Sequence, residues 1–145
     1  MITFKTRYEG DLRTTATHAS SGVTIFTDAP VDNMGRGEAF SPTDLLSASL
    51  VSCMLTIMGI SAVKNNYSIN GTDVVAQKIM ASNPRRIDEI IIEIKLPDIN
   101  YSTGEKTLII NAAMNCPVVK SIHPDLKLKV TFHFSDEKLF KTNIL

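Results

Sequence analysis

From Leu45 to Val63 the chain runs without a charged residue, and the residues just before that run spell the start of a helix. Ser41 can cap exposed backbone N–H groups, and Pro42 suits the first helical position, where no N–H is needed. Asp44, three residues past Ser41, places a carboxylate at the positive end, close to a capping box. A helix that continues to Val63 is about 33 Å long. It is apolar nearly all round, so its surface must be buried. The length also suits a bilayer span. Against that reading, Ser47, Ser49, Ser52, Thr56 and Ser61 interrupt the apolar surface, and no Lys or Arg cluster flanks either end. A core helix is expected. Ser52, Thr56 and Gly59 share one face and would let a second helix approach closely, with Cys53 beside that row.

The 145 residues are 43% hydrophobic, enough for one domain, expected over residues 1–134 with a tail at 135–145. Fifteen basic and fifteen acidic residues cancel, and no basic block stands out. Nucleic acid and anionic membrane are therefore not expected as partners. The first residues pass directly into alternating strand sequence, so a cytoplasmic location is expected. The two cysteines, Cys53 and Cys116, are then inert or redox-active rather than a permanent structural disulfide.

Alternation predicts strands over Ile2–Tyr8, Leu12–His18 and Val23–Thr27, separated by Glu9-Gly10-Asp11 and Ser20-Ser21-Gly22 as turns. Asp28 to Phe40 reads as a loop feeding the long helix, which Asn65-Asn66 ends. Thr72–Ala81 and Arg86–Leu96 read as a hairpin joined across Asn83-Pro84, the Ile90-Ile91-Ile92 run being long enough to be covered on both faces. Ser102 starts a second helix to about Met114, with Leu108, Ile109, Ala112 and Ala113 at helical spacing. Asn115-Cys116-Pro117 breaks it, and Pro117 can begin a short helix to about Ile122. Leu126–Phe134 is a last strand, and the polar tail from Ser135 reads as helical or frayed. Grouped strands argue for an α+β fold over a doubly wound one. A helix apolar on every side is hard to cover with so few strands, so a second copy is expected to help bury it.

Cys53 sits mid-helix in apolar surroundings, where burial would leave it an inert core residue. Cys116, with Pro117 after it, occupies a helix N-cap, where N–H groups favour a thiolate. If the two sulfurs meet, one can attack an oxidised substrate and the other can close a disulfide. A cation beside the first would hold it ionised; Arg13 on the second strand is the candidate, with Arg7 and Arg36 as alternatives. Cys53, Cys116, His18, His123 and His133 lack zinc-ligand spacing, so no metal is expected. Gly35-Arg36-Gly37 lacks phosphate-loop spacing, and no other cofactor motif is present.

Phe40-Ser41-Pro42-Thr43-Asp44-Leu45-Leu46, then Ser52-Cys53-Met54, and later Asn115-Cys116-Pro117-Val118 with Ser121 resemble the OsmC/Ohr family of small redox proteins. The resemblance implies an intertwined α+β homodimer, with antiparallel sheets wrapped around long central helices and active sites at the subunit interface. It implies a cofactor-free thiol peroxidase acting on organic hydroperoxides, with Cys53 as the attacking thiolate and Cys116 as the resolving thiol. Arg13 best matches the family's early-strand arginine. Ohr-type members carry a glutamate after the helix-start proline, where this chain has Thr43, so Asp44 or Glu38 is expected to take its part. The implied partners are a small hydrophobic peroxide and a dithiol reductant. Two other readings stay open: a non-enzymatic module holding a small ligand, and a thiol-based peroxide sensor.

Overall fold

The computed structural model describes residues 3–142; Ile2, expected in the first strand, and residues 143–145 of the tail lie outside them. The chain divides into two compact units, Met1–Leu46 and Ser47–Leu145.

The first unit is a meander of β1 (Phe4–Gly10), β2 (Arg13–His18) and β3 (Thr24–Asp28), paired antiparallel in that order. Gly10, at φ 93°, and Asp11 and Leu12, also at positive φ, make the first turn, and Gly22 serves the second. Threonines paired across the ladder hydrogen-bond, as between Thr17 and Thr24 at 2.8 Å. The connection to the first helix folds tightly on itself. Gly37 N–H donates to Ala29 O, and a Cβ at Gly35 would meet that same oxygen at 1.7 Å, so only glycine fits there. Gly35-Arg36-Gly37 thus serves a close backbone approach.

Helix α1 (Pro42–Asn65) begins in the first unit and runs on through the second. The second unit adds β4 (Asp73–Ser82), β5 (Arg85–Lys95), α2 (Thr103–Met114), β6 (Lys127–His133) and β7 (Lys138–Thr142). Its sheet has the order β4-β5-β6-β7. The β4–β5 hairpin turns on a cis Asn83–Pro84 bond. Antiparallel pairing holds for β4–β5 and β6–β7, but β5 and β6 run parallel, contrary to a wholly antiparallel expectation. Helix α2 carries the chain back between them, so β6 enters the sheet in the direction β5 did. The fold is α+β.

One dry core organises this unit. Ile90, Ile92 and Ile94 stand opposite Leu128, Val130 and Phe132 in register, all fully buried. Leu50, Met54 and Met58 of α1 and Ile109 and Ala113 of α2 complete the layer. Ile91 faces the other way, between Gln77 and Lys129, and is only half-buried. The triple-isoleucine run is therefore sealed on one face, not both.

Within one chain neither helix is covered on every side, and at α2 the expected buried face is corrected. Helix α1 buries a single face, Ser47, Leu50, Met54, Met58 and Ala62, while Ile60 and Val63 stay exposed, Val63 at 81%. Helix α2 buries Ile109 and Ala113 as expected, but Lys106 and Ile110 share the buried face, and Leu108 is exposed. Lys106 is buried because its ammonium donates to Asp136 and Glu137 at 2.6–2.8 Å and lies 5.4 Å from the centre of the Phe134 ring. Those acidic residues open the stretch expected to be helical or frayed. Beyond them Lys138–Thr142 pairs with β6 as an edge strand instead. Ser102 caps α2 in a full capping box with Glu105.

Phe132 and Leu50 test that core. Phe132→Ala is expected to cost about 3–5 kcal/mol and Leu50→Ala about 2–5 kcal/mol, read as a lower urea midpoint at unchanged slope.

Candidate functional site

In the N-terminal unit the site residues gather around Arg13. Strand register sets Arg13 on β2 directly opposite Asp28 at the end of β3. The guanidinium grips that carboxylate with two prongs, Nε to Oδ1 at 2.7 Å and Nη2 to Oδ2 at 2.8 Å. Nη2 also donates to Glu38 at 2.9 Å, and the Glu38 backbone N–H donates to Asp28 Oδ2 at 3.1 Å. Asp28 is 1% exposed. The Arg13 guanidinium holds its carboxyl below the usual carboxylate range, against the opposing effect of burial. Arg13 in turn holds its own proton more firmly than usual, chiefly through Asp28.

The other arginines have separate partners: Arg36 reaches Asp11 at 2.6 Å, and Arg7 lies 3.9 Å from Glu9 on the surface. Of the two carboxylates expected to take the family glutamate's part, Glu38 bonds Arg13. Asp44 turns back on the helix start: its Oδ2 accepts from Ser41 N at 2.8 Å and Ser41 Oγ at 2.7 Å, and its N–H donates to Ser41 Oγ. Asp28 was missed in the sequence, where it reads as the first residue of a loop. The signal was the hairpin itself, because counting partners back from the Ser20-Ser21-Gly22 turn sets it across from Arg13.

In the C-terminal unit the two cysteines meet. Cys53 lies half-buried on α1, and Cys116 is fully buried just beyond α2. Asn115 N–H closes α2 by donating to Asn111 O, and Cys116 N–H donates to Ala113 O at 3.3 Å. The chain then turns: Lys120 N–H donates to Cys116 O, Val119 N–H donates to Cys116 Sγ at 3.5 Å, and a 3-10 turn follows at Val119–Ser121. The helix expected from Pro117 to Ile122 is thus only this 3-10 turn, capped at Val118 rather than at Cys116, although the Cys116 sulfur accepts from its first N–H. The Cys116 thiol is not acidified, however, contrary to the expectation from the helix terminus. Burial pushes it up most strongly, contact with the Cys53 thiol pushes the same way, and the Val119 and Val118 N–H groups only partly offset them. Both cysteines are free thiols, and the Cys53 thiol lies close enough to Cys116 to act on its proton.

The histidines are apart from this pair. His18 bonds Ser21, His123 accepts from Asp125 N–H in a turn, and His133 bonds Glu93.

The profile of the family described as OsmC-like protein matches residues 35–131, which include the α1 start and both cysteines. The chain belongs to the OsmC-like family. A crystal structure from Psychrobacter arcticus 273-4, provisionally described as an osmotic-stress-induced and detoxification-response protein, is similar over 92% of this chain and 96% of that one. Its identity is 51% and its TM-score 0.87. An OsmC-like protein of Mycoplasma pneumoniae shares the fold at 20% identity and TM-score 0.76, covering 90% of this chain and 94% of that one. An organic hydroperoxide resistance protein OsmC of Legionella pneumophila does so at 15% identity and TM-score 0.68, over 91% and 97%. No curated protein matches the chain.

Asp28 has its pKa lowered by folding, so its stabilising effect is present above the ordinary Asp value of about 3.9 and is lost as pH falls through its lower folded value. Pepsin cleavage within residues 29–40 is expected to rise steeply as the pH is lowered through that range. Asp28→Asn should expose the same segment to proteases at neutral pH. Equal cleavage of both proteins at pH 7 would show that the clasp does not order the loop.

Proposed function

We propose that this OsmC-like protein is a cysteine-based peroxidase that reduces organic hydroperoxides. The observation that supports the reading most is a half-exposed thiol, Cys53, near a fully buried one, Cys116. The first can meet a substrate, and the second can reach only its neighbour.

The chemistry then runs in two steps. The Cys53 thiolate attacks one oxygen of the peroxide; an S–O bond forms, the O–O bond breaks, and the alkoxide leaves as an alcohol after taking a proton. Cys53 is now a sulfenic acid. The Cys116 sulfur attacks the Cys53 sulfur, the S–S bond forms, and the hydroxyl leaves with the Cys116 proton as water. An external dithiol returns the disulfide to two thiols. Ile57 and Ile60, one and two turns beyond Cys53, are half-exposed and exposed apolar residues that favour a hydrophobic peroxide. By its resemblance Arg13 supplies positive charge to this chemistry, with Glu38 in the place of the family glutamate and Asp44 holding the helix start.

The working unit in this reading is a cytoplasmic homodimer. Val63 of α1 at 81% exposure, Phe4 and Phe26 of the first sheet and Val75 at 72% on β4 leave more apolar surface open than a lone small chain usually shows. Ser52, Thr56 and Gly59 add a row of small residues, and a Cβ at Gly59 would meet nothing within 4 Å. Sedimentation at twice the chain mass is the expected result, and a monomer at micromolar concentration would remove this part of the proposal.

Cumene hydroperoxide with a dithiol reductant tests the activity. Cys53→Ser should abolish peroxide consumption. Cys116→Ser should still consume about one peroxide per chain, leaving a sulfenic acid that dimedone traps, and then stop. Continued turnover by Cys53→Ser would refute the mechanism. Wild-type protein that binds hydroperoxide without consuming it, with no sulfenic acid formed, would favour the binding module.

A further inference from the structure

Asn70 and Gly71 make the bend between α1 and β4. Thr72 N–H donates to Ile69 O at 3.1 Å, and its hydroxyl donates to the same oxygen at 2.6 Å. Gly71 sits at φ 86°, where a side chain would be strained. Both residues are exposed, and a Cβ at Gly71 would meet nothing within 4 Å. The Asn70 backbone N–H is engaged, donating to Ser68 Oγ at 3.1 Å. The side-chain amide of Asn70 and the N–H of Gly71, however, have no hydrogen-bond partner among the described residues. A primary amide and the peptide nitrogen after it are both free, with no side chain between them to hinder approach.

Most other asparagines are restrained at one of those two groups. Asn65 and Asn115 give their side-chain nitrogens to Ser61 O at 2.8 Å and Asn111 O at 2.9 Å. The nitrogen after Asn66 is that of Tyr67, which donates to Ala62 O, and Asn83 is followed by a proline. Asn33 is followed by the bulkier Met34.

We propose that Asn70 is a site of self-modification: the folded protein deamidates there, with water as the only co-reactant. The Gly71 nitrogen attacks Cγ of Asn70. A C–N bond forms, the Cγ–Nδ2 bond breaks, and ammonia leaves with the Gly71 proton, closing a cyclic imide. Water then opens the ring. Cleavage at Cγ gives aspartate, and cleavage at the main-chain carbonyl gives a β-aspartyl link that carries the backbone through Cγ. Either product places a new carboxylate shortly before Asp73, the first residue of β4. The fifteen acidic and fifteen basic residues balance, so each event leaves one net negative charge. The β-aspartyl form also lengthens by one carbon a bend that is anchored at Ser68, whose carbonyl accepts from the Tyr101 hydroxyl at 2.6 Å. The site is a one-way mark of the age of each copy, and it does not depend on the peroxidase reading.

The test is storage of the full chain at mildly alkaline pH with a thiol reductant, followed by isoelectric focusing and peptide mass spectrometry. A band shifted by one negative charge should accumulate, with a mass gain of one dalton on Asn70. The tryptic peptide from Asn65 to Lys78 carries Asn65 and Asn66 as internal controls. Asn70→Gln, whose longer side chain closes the imide far less readily, should lose both the band and the gain. Circular dichroism confirms that both proteins stay folded during storage. A gain that falls mainly on another asparagine, or on Asn70 only after unfolding in urea, overturns the proposal, as does the absence of an acidic band.

Discussion

The C-terminal unit depends on α1 spending one face on the core and leaving the rest uncovered. Leu50, Met54 and Met58 fall on that face at helical steps and lock against the isoleucines of β5 and the large residues of β6. Cys53 lies one residue before Met54, at the border between the sealed face and the open one, and so is neither fully hidden nor free. A helix with charges along its outer face would have been stable alone, with no reason to place a thiol at such a border. Because α1 is apolar on nearly every side, a thiol at its edge has apolar neighbours on the helix and is still open to approach.

Much of this could be read in the sequence, because the signals were local. Ser41-Pro42 with Asp44 marks the helix start, and the structure shows the reciprocal Ser41–Asp44 bonds that the spacing implies. Strand limits follow from alternation and turn residues to within a residue or two. Three features were not legible, and each depends on partners distant in the chain. The parallel pairing of β5 and β6 depends on where α2 returns the chain, which no local pattern states. Lys106 reads as a surface residue, and only Asp136, Glu137 and Phe134, some thirty positions on, turn it into a buried one. The strand at Lys138–Thr142 carries weak alternation and forms because β6 presents an open edge.

The candidate site divides in the same way. Both cysteines and Arg13 stood out as residue types, and the pairing of the thiols followed from the resemblance. Asp28 did not stand out, since a lone aspartate after a strand is usually a turn residue. Its near-complete burial is what makes it matter. An unpaired carboxylate at 1% exposure would be costly, so Arg13 is fixed on it with two bonds, and the Glu38 N–H completes its partners. An arginine committed in this way is a structural clasp first, and any charge it offers elsewhere is reduced by the carboxylates it already holds.

The same weighing of partners against burial applies at Cys116. Judged by its terminus alone, Cys116 should be the acidic one, since the first turn of a helix offers free N–H groups. A helix terminus contributes only about 0.3–1 kcal/mol at exposed sites. Leaving an ionised group in an apolar interior without a partner costs several kcal/mol. Desolvation therefore wins at Cys116, and the turn's N–H serves instead to fix the thiol's position and polarise it.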